Sequence, residues 1–142
     1  MEINGYVIAA GANLAGAELP GADLIDARLA YADLTDADLT EADLSGASLH
    51  SANLTGAKLS MANLNKADLD SVNLVRTDLT KAILTSSKLV YANLKGADLT
   101  GADLTGADLT SADLDSADLS EADLTGAKLS MATLREAHLS KA

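Results

Sequence analysis

The side chains able to do acid–base or metal chemistry are almost all carboxylates: 21 Asp and Glu against two His and no Cys in 142 residues. His50 and His138 fall at different places in the repeat described below, so no metal or base cluster can be assembled from them. Without Cys there are no thiolate ligands and no disulfides. Gly-Ala-Asp-Leu-Thr-Gly recurs as part of a repeat rather than at a strand-to-helix turn, so it is no phosphate cradle. The glycine-rich nonapeptide of calcium solenoids is absent as well. The expectation is a chain with no catalytic residues, no metal and no cofactor, in which carboxylates serve as surface charge.

That charge is large. Ten Lys and Arg leave a formal net charge of −11, which disfavours direct binding of nucleic acid or an anionic membrane and leaves proteins as the natural partners. Residues 1–11 contain no basic segment followed by a long apolar one, and nowhere do 18 apolar residues run together, so a cytoplasmic protein is expected. With 48% apolar residues but no Phe or Trp, Leu and Ala have to build the core.

The elements that position the carboxylates follow from one periodicity. Leu occupies every fifth position from Leu14 to Leu139, 26 times in succession, and Ala stands two residues earlier except at Val72, Thr77 and Ser87. A helix would rotate each successive Leu by about 140°, which scatters them around the cylinder. A continuous strand fails because five is odd, so every second Leu would point outward. The chain must reset its parity in each repeat. A three-residue strand with Ala in, Asp or Asn out and Leu in, then a two-residue corner, does this. Glycines such as Gly16, Gly46 and Gly101 lie two residues after Leu, where a tight turn asks for positive φ.

The repeats Ala22-Asp23-Leu24, Ala52-Asn53-Leu54 and Ala102-Asp103-Leu104 resemble the pentapeptide-repeat family, and the resemblance runs from residue 12 to 141. It implies an all-β fold, a right-handed quadrilateral parallel β-helix with four repeats per coil, and a family common in bacteria, especially cyanobacteria. At four per coil, 26 repeats make 6.5 coils over residues 12–142, preceded by a lead-in and partial cap at 1–11. Core leucines would stack 20 apart, as in Leu14, Leu34, Leu54, Leu74, Leu94, Leu114 and Leu134.

Outward residues then form columns. One face carries Asn13, Asp33, Asn53, Asn73, Asn93, Asp113 and Thr133, expected to be a self-bonding amide ladder. The next two faces are acidic and are the candidate partner-binding surfaces, through Asp38, Asp78, Asp98 and Asp118 on one and Asp23, Asp43, Asp103 and Asp123 on the other. The fourth face mixes signs. Residues 44–97 hold three acids and six bases, and in this middle belt Val75, Ile83, Val90 and Tyr91 are expected to be exposed and to form a second candidate site.

The leading functional expectation is a non-enzymatic structural or protein-interaction module with rigid acidic faces. One alternative is a DNA mimic that binds DNA gyrase or topoisomerase. The duplex carries about 18 charges in ~30 Å, against a net 11 here. Another is an ice- or surface-binding solenoid using hydroxyl columns such as Thr40, Ser60, Thr80, Thr100 and Ser120. At the ends, Ile3, Tyr6, Val7 and Ile8 offer a lid over the first coil. Only three residues follow Leu139, so the C-terminal end is expected either to pair with a second copy as a homodimer or to continue in a longer protein.

Overall fold

A computed structural model describes residues 1–142. Parallel pairing links residues 20 apart from Asn13 with Asp33 through Asp118 with His138, which sets four five-residue sides to each coil. Leu and Ala side chains from all four sides meet in one continuous apolar column, with the leucines from Leu14 to Leu119 buried. Inward facing follows from the side-chain alternation of an extended segment, and the corners keep it from drifting out of phase.

The sides are shorter than three-residue strands: each contributes one bridged residue, the outward one between Ala and Leu. Backbone bonding explains why. In the side centred on Leu34, the Leu34 amide donates forward to Asn53 O (2.7 Å) and the Asp33 amide donates back to Ala12 O (2.9 Å). The Asp36 amide again donates forward, to Thr55 O (3.0 Å), but the Ala37 amide folds onto Leu34 O (3.0 Å) and closes the corner. Three amides in five thus join the inter-coil ladder, since the Ala37 amide closes the turn and the Thr35 amide finds no backbone acceptor.

Every position two after Leu has positive φ, including Asp26 at 53°, Met61 at 58° and Tyr91 at 59°. With a bond from Leu to the residue three ahead, that is the pattern of a type II turn, which favours Pro at its second position. Pro20 occupies that place. Glycine suits the third position, and side chains there sit in a region L-residues resist by about 1–2 kcal/mol. Met61 is 49% exposed and so has little burial to lose. Met61→Gly is therefore expected to raise stability by about 0.5–1 kcal/mol after the entropic cost of glycine, measurable by urea unfolding.

Two short strands, β1 (Glu2–Ile3) and β2 (Tyr6–Val7), pair antiparallel over the first coil. Ile3 and Tyr6 pack on the core and Ile8 is buried within it. Val7, expected in the lid, points away at 63% exposure because hairpin side chains alternate. At the other end Leu124, Leu129 and Leu134 are half-buried and Leu139 is exposed. Leu134 therefore departs from the fully buried core expected of its column, since no further coil lies over it. No helix is long and apolar enough to cross a membrane.

The irregular coil is accommodated without an orphaned buried side-chain polar atom. Thr77, in an Ala position, donates its hydroxyl to Leu54 O (2.8 Å), and Ser87 donates to Leu84 O (2.7 Å).

Candidate functional site: the outward carboxylate columns

The outward Asp and Asn have a local task that precedes any functional one. The amide immediately after each Leu finds no backbone acceptor. The Asp or Asn just before that Leu supplies one: the amides of Thr35, Thr40, Thr100 and Ser120 donate to Oδ1 of Asp33, Asp38, Asp98 and Asp118 at 2.9–3.1 Å. This side-chain-to-backbone bond two residues on is why Asp and Asn dominate the position. Pro20, which has no amide to satisfy, follows Glu18 rather than an Asp or Asn.

Hydroxyls after Leu strengthen the arrangement. Thr35, Thr80 and Thr110 donate to Oδ1 of Asp33, Asp78 and Asp108 at 2.6–2.7 Å. Ser60 and Thr80 also bond one another across coils at 2.8 Å. The corner column considered for ice binding thus spends hydroxyls inside the protein. The amide ladder expected on the first face does not bond amide to amide either: Asn53 and Asn73 accept from the backbone at Thr55 and Val75, and Asn53 Nδ2 donates to Thr35 Oγ1 (2.9 Å).

These bonds stabilise the ionised form. The Thr35 hydroxyl, then its amide, hold the Asp33 carboxyl below its ordinary value, and Thr40, Ser45, Thr110, Ser120 and Thr125 do the same for Asp38, Asp43, Asp108, Asp118 and Asp123. A carboxyl depressed in the folded state binds its proton later than in the unfolded chain, so its stabilisation is present above the unfolded value of about 4 and disappears as pH falls through the lower folded values. The melting temperature should be level from pH 7 to 5 and fall below pH 4. A rise on acidification would mean that relief of repulsion among like charges outweighs these bonds.

The structure places Asp38, Asp78, Asp98 and Asp118 in one column and Asp23, Asp43, Asp103 and Asp123 in the next, on adjacent sides of the coil. Some carboxylates are paired one coil away: Lys58 with Asp38 (3.3 Å), Lys128 with Asp108 (3.2 Å) and His138 with Asp118 (3.9 Å). Asp78, Asp98, Asp103 and Asp123 have no cationic partner within salt-bridge distance. These four lie on two adjacent sides of the coil, as unpaired fixed charge.

The middle belt is not one patch. Ile83 is exposed in the third column, Tyr91 is exposed at the corner between the fourth and first sides, and Val75 lies at the corner between the first and second. Val75 and Val90, expected to be exposed, are half-buried, because the residue just after Leu is tucked between neighbouring corners. Four apolar side chains spread around a rod give no common surface.

Sequence reasoning missed Asp70 and Asp115. Where the outward residue is Lys88 or Thr133 instead of Asp or Asn, the orphaned amide of Val90 or Arg135 donates to the carboxylate of the coil below, Asp70 (2.9 Å) or Asp115 (3.0 Å). The readable signal was an acid just after Leu, 20 residues before the repeat that lacks its own acceptor.

Fold and columns together define a four-sided parallel β-solenoid whose repeating unit is a turn capped by Asp or Asn. The pentapeptide repeats family matches in eight copies over residues 10–46, 47–85, 84–115 and 102–140, and the chain belongs to that family. Its members form right-handed quadrilateral β-helices. Among solved structures, a pentapeptide repeat protein from the Arabidopsis thaliana thylakoid lumen is 37% identical, with a TM-score of 0.65 over 66% of this chain and 65% of its own. The chain thus spans somewhat less than two thirds of that relative. A second, from Nostoc, is 40% identical with a TM-score of 0.54 over 58% of this chain and 73% of its own. No curated protein matches the chain.

Proposed function

We propose that this chain is a non-enzymatic protein-interaction module whose two adjacent acidic columns engage a basic protein surface. The observation that carries the reading is the tethering of the carboxylates. Each of Asp98, Asp103 and Asp123 has Oδ1 bound to a backbone amide at 2.9–3.0 Å, so the side chain is already ordered and its second oxygen is free to meet a cation. Preordered groups lose less entropy on binding, and one coil spacing of about 4.8 Å repeats the charge at a fixed interval. At four repeats per turn, 26 repeats make a rod of about 6.5 coils on which these columns are straight edges. Duplex mimicry is less well supported, because the middle coils carry six bases against three acids and interrupt the acidic tracks.

The test replaces Asp78, Asp98, Asp103 and Asp123 together by Asn, which keeps the oxygen that accepts the backbone amide and removes the charge. Pull-downs from the native host at low and high salt should yield basic proteins retained by the unaltered chain and lost by the variant and by salt. Retention of the same proteins by both chains would refute the reading.

A further inference from the structure

The fourth face carries its charges in strict alternation. Asp68, Lys88, Asp108 and Lys128 stack on successive coils in one bridged column. Lys128 pairs with Asp108 inside the chain (3.2 Å), whereas Asp68 and Lys88 have no oppositely charged partner within salt-bridge distance. On the corners that flank this face over the same four coils, the only further charges are Lys66 and Asp70, so the strip is neutral on a chain of net charge −11. Side-chain size is patterned as well. The corner shared with the first side presents Ser71, Tyr91, Ser111 and Met131, with Tyr91 and Met131 exposed, and the corner shared with the third presents Lys66, Ser86, Gly106 and Gly126.

We infer that the fourth face binds a second copy of this chain side by side, the two rods antiparallel, with a twofold axis between the Lys88 and Asp108 coils. About that axis Lys88 meets Asp108 of the second copy and Asp68 meets its Lys128, and the symmetry repeats both pairs. The corners match in size under the same operation: Tyr91 falls opposite Ser111, Met131 opposite Ser71, Lys66 opposite Gly126 and Ser86 opposite Gly106. Each large side chain thus faces a small one. Parallel rods would set every charge of the column against its like, and the antiparallel register that pairs Asp68 with Lys88 would set Arg28 against Lys128. The overlap is four coils, about 19 Å long, which buries on the order of 400 Å² per copy, below the size of a stable interface. The dimer is therefore weak, with a dissociation constant on the order of 0.1–1 mM. It leaves both acidic columns of the proposed function uncovered, so either reading can fail without the other.

Sedimentation equilibrium of the full chain, carried to millimolar concentration, tests this with two charge-reversed proteins. Lys88→Glu/Lys128→Glu makes the column wholly acidic, and Asp68→Lys/Asp108→Lys makes it wholly basic. Each alone is expected to raise the dissociation constant tenfold or more, and an equimolar mixture is expected to associate more tightly than either. Replacing Asp68 and Asp108 also removes the acceptors of the Asp70 and Thr110 amides, so a spin label on the otherwise unaltered chain supplies a second reading. Arg28 lies outside the overlap, and labels on Arg28→Cys in the two copies should sit seven coils apart, roughly 34 Å. A chain monomeric at every concentration, a Lys88→Glu/Lys128→Glu protein that pairs as well as the unaltered one, or labels closer than about 20 Å, as parallel rods would place them, would each overturn the proposal.

Discussion

Leu64→Asp is expected to unfold the middle of the rod, lowering stability by at least about 4 kcal/mol, because it deletes a buried aliphatic side chain and leaves an unpaired charge in its place. Leu64 is fully buried, in a column with Leu44 and Leu84 one coil away on either side, and all three are at 0–1% exposure. The core around it is made of Leu and Ala from neighbouring coils and offers a carboxylate no partner. In a solenoid each coil is supported chiefly by its neighbours, so loss of one middle coil also exposes the next on each side. For a chain of this length the melting temperature should fall by more than about 10 °C. Leu139→Asp, at the exposed end, should cost far less. Equal losses at Leu64 and Leu139 would contradict the burial gradient along the rod.

Proline substitutions two residues apart should have opposite consequences. The Asp98 amide donates to Thr77 O at 3.0 Å as part of the ladder, so Asp98→Pro removes an inter-coil bond at the centre of a side and should cost about 3 kcal/mol or more. The Thr100 amide donates only to Asp98 Oδ1, and Pro20 already occupies the equivalent place in the same corner column. Thr100→Pro should stay within about 1 kcal/mol, since the ring supplies the φ that the second position of the turn requires. Chemical unfolding of the two variants side by side measures both. Comparable destabilisation would show that the amide after Leu belongs to the ladder, contrary to the bonding described.

Much of this architecture is legible in the sequence because a strict period over-determines it. Leu at every fifth residue, with an odd step that neither helix nor strand tolerates, leaves a winding chain with corners as the economical answer, and the glycines mark where φ turns positive. What could not be read lies in the competition for backbone amides. Asp33 and its equivalents read as surface charge, yet each also satisfies an amide that the corner strands, and no hydropathy pattern distinguishes those two roles. Val75 and Val90 were misplaced for a related reason. In the middle coils the position after Leu leaves the core but is mostly half-buried, since the corners above and below it crowd it. The acidic columns, by contrast, follow from arithmetic alone once 20 residues make a coil, and so do the pairs Lys58 with Asp38 and Lys128 with Asp108.

All of this depends on the chain returning to the same side after 20 residues. The chain has no cysteine, so paired substitutions report proximity without background. Lys88 and Asp108 are bridged across adjacent coils, whereas Lys88 and Asp103 lie on different sides. Strand neighbours about 4.8 Å apart fall within the range a disulfide spans. Under mild oxidation the Lys88→Cys/Asp108→Cys protein should close an intramolecular disulfide, and the Lys88→Cys/Asp103→Cys protein should remain reduced. Closure of the second pair in preference to the first would contradict the four-sided winding.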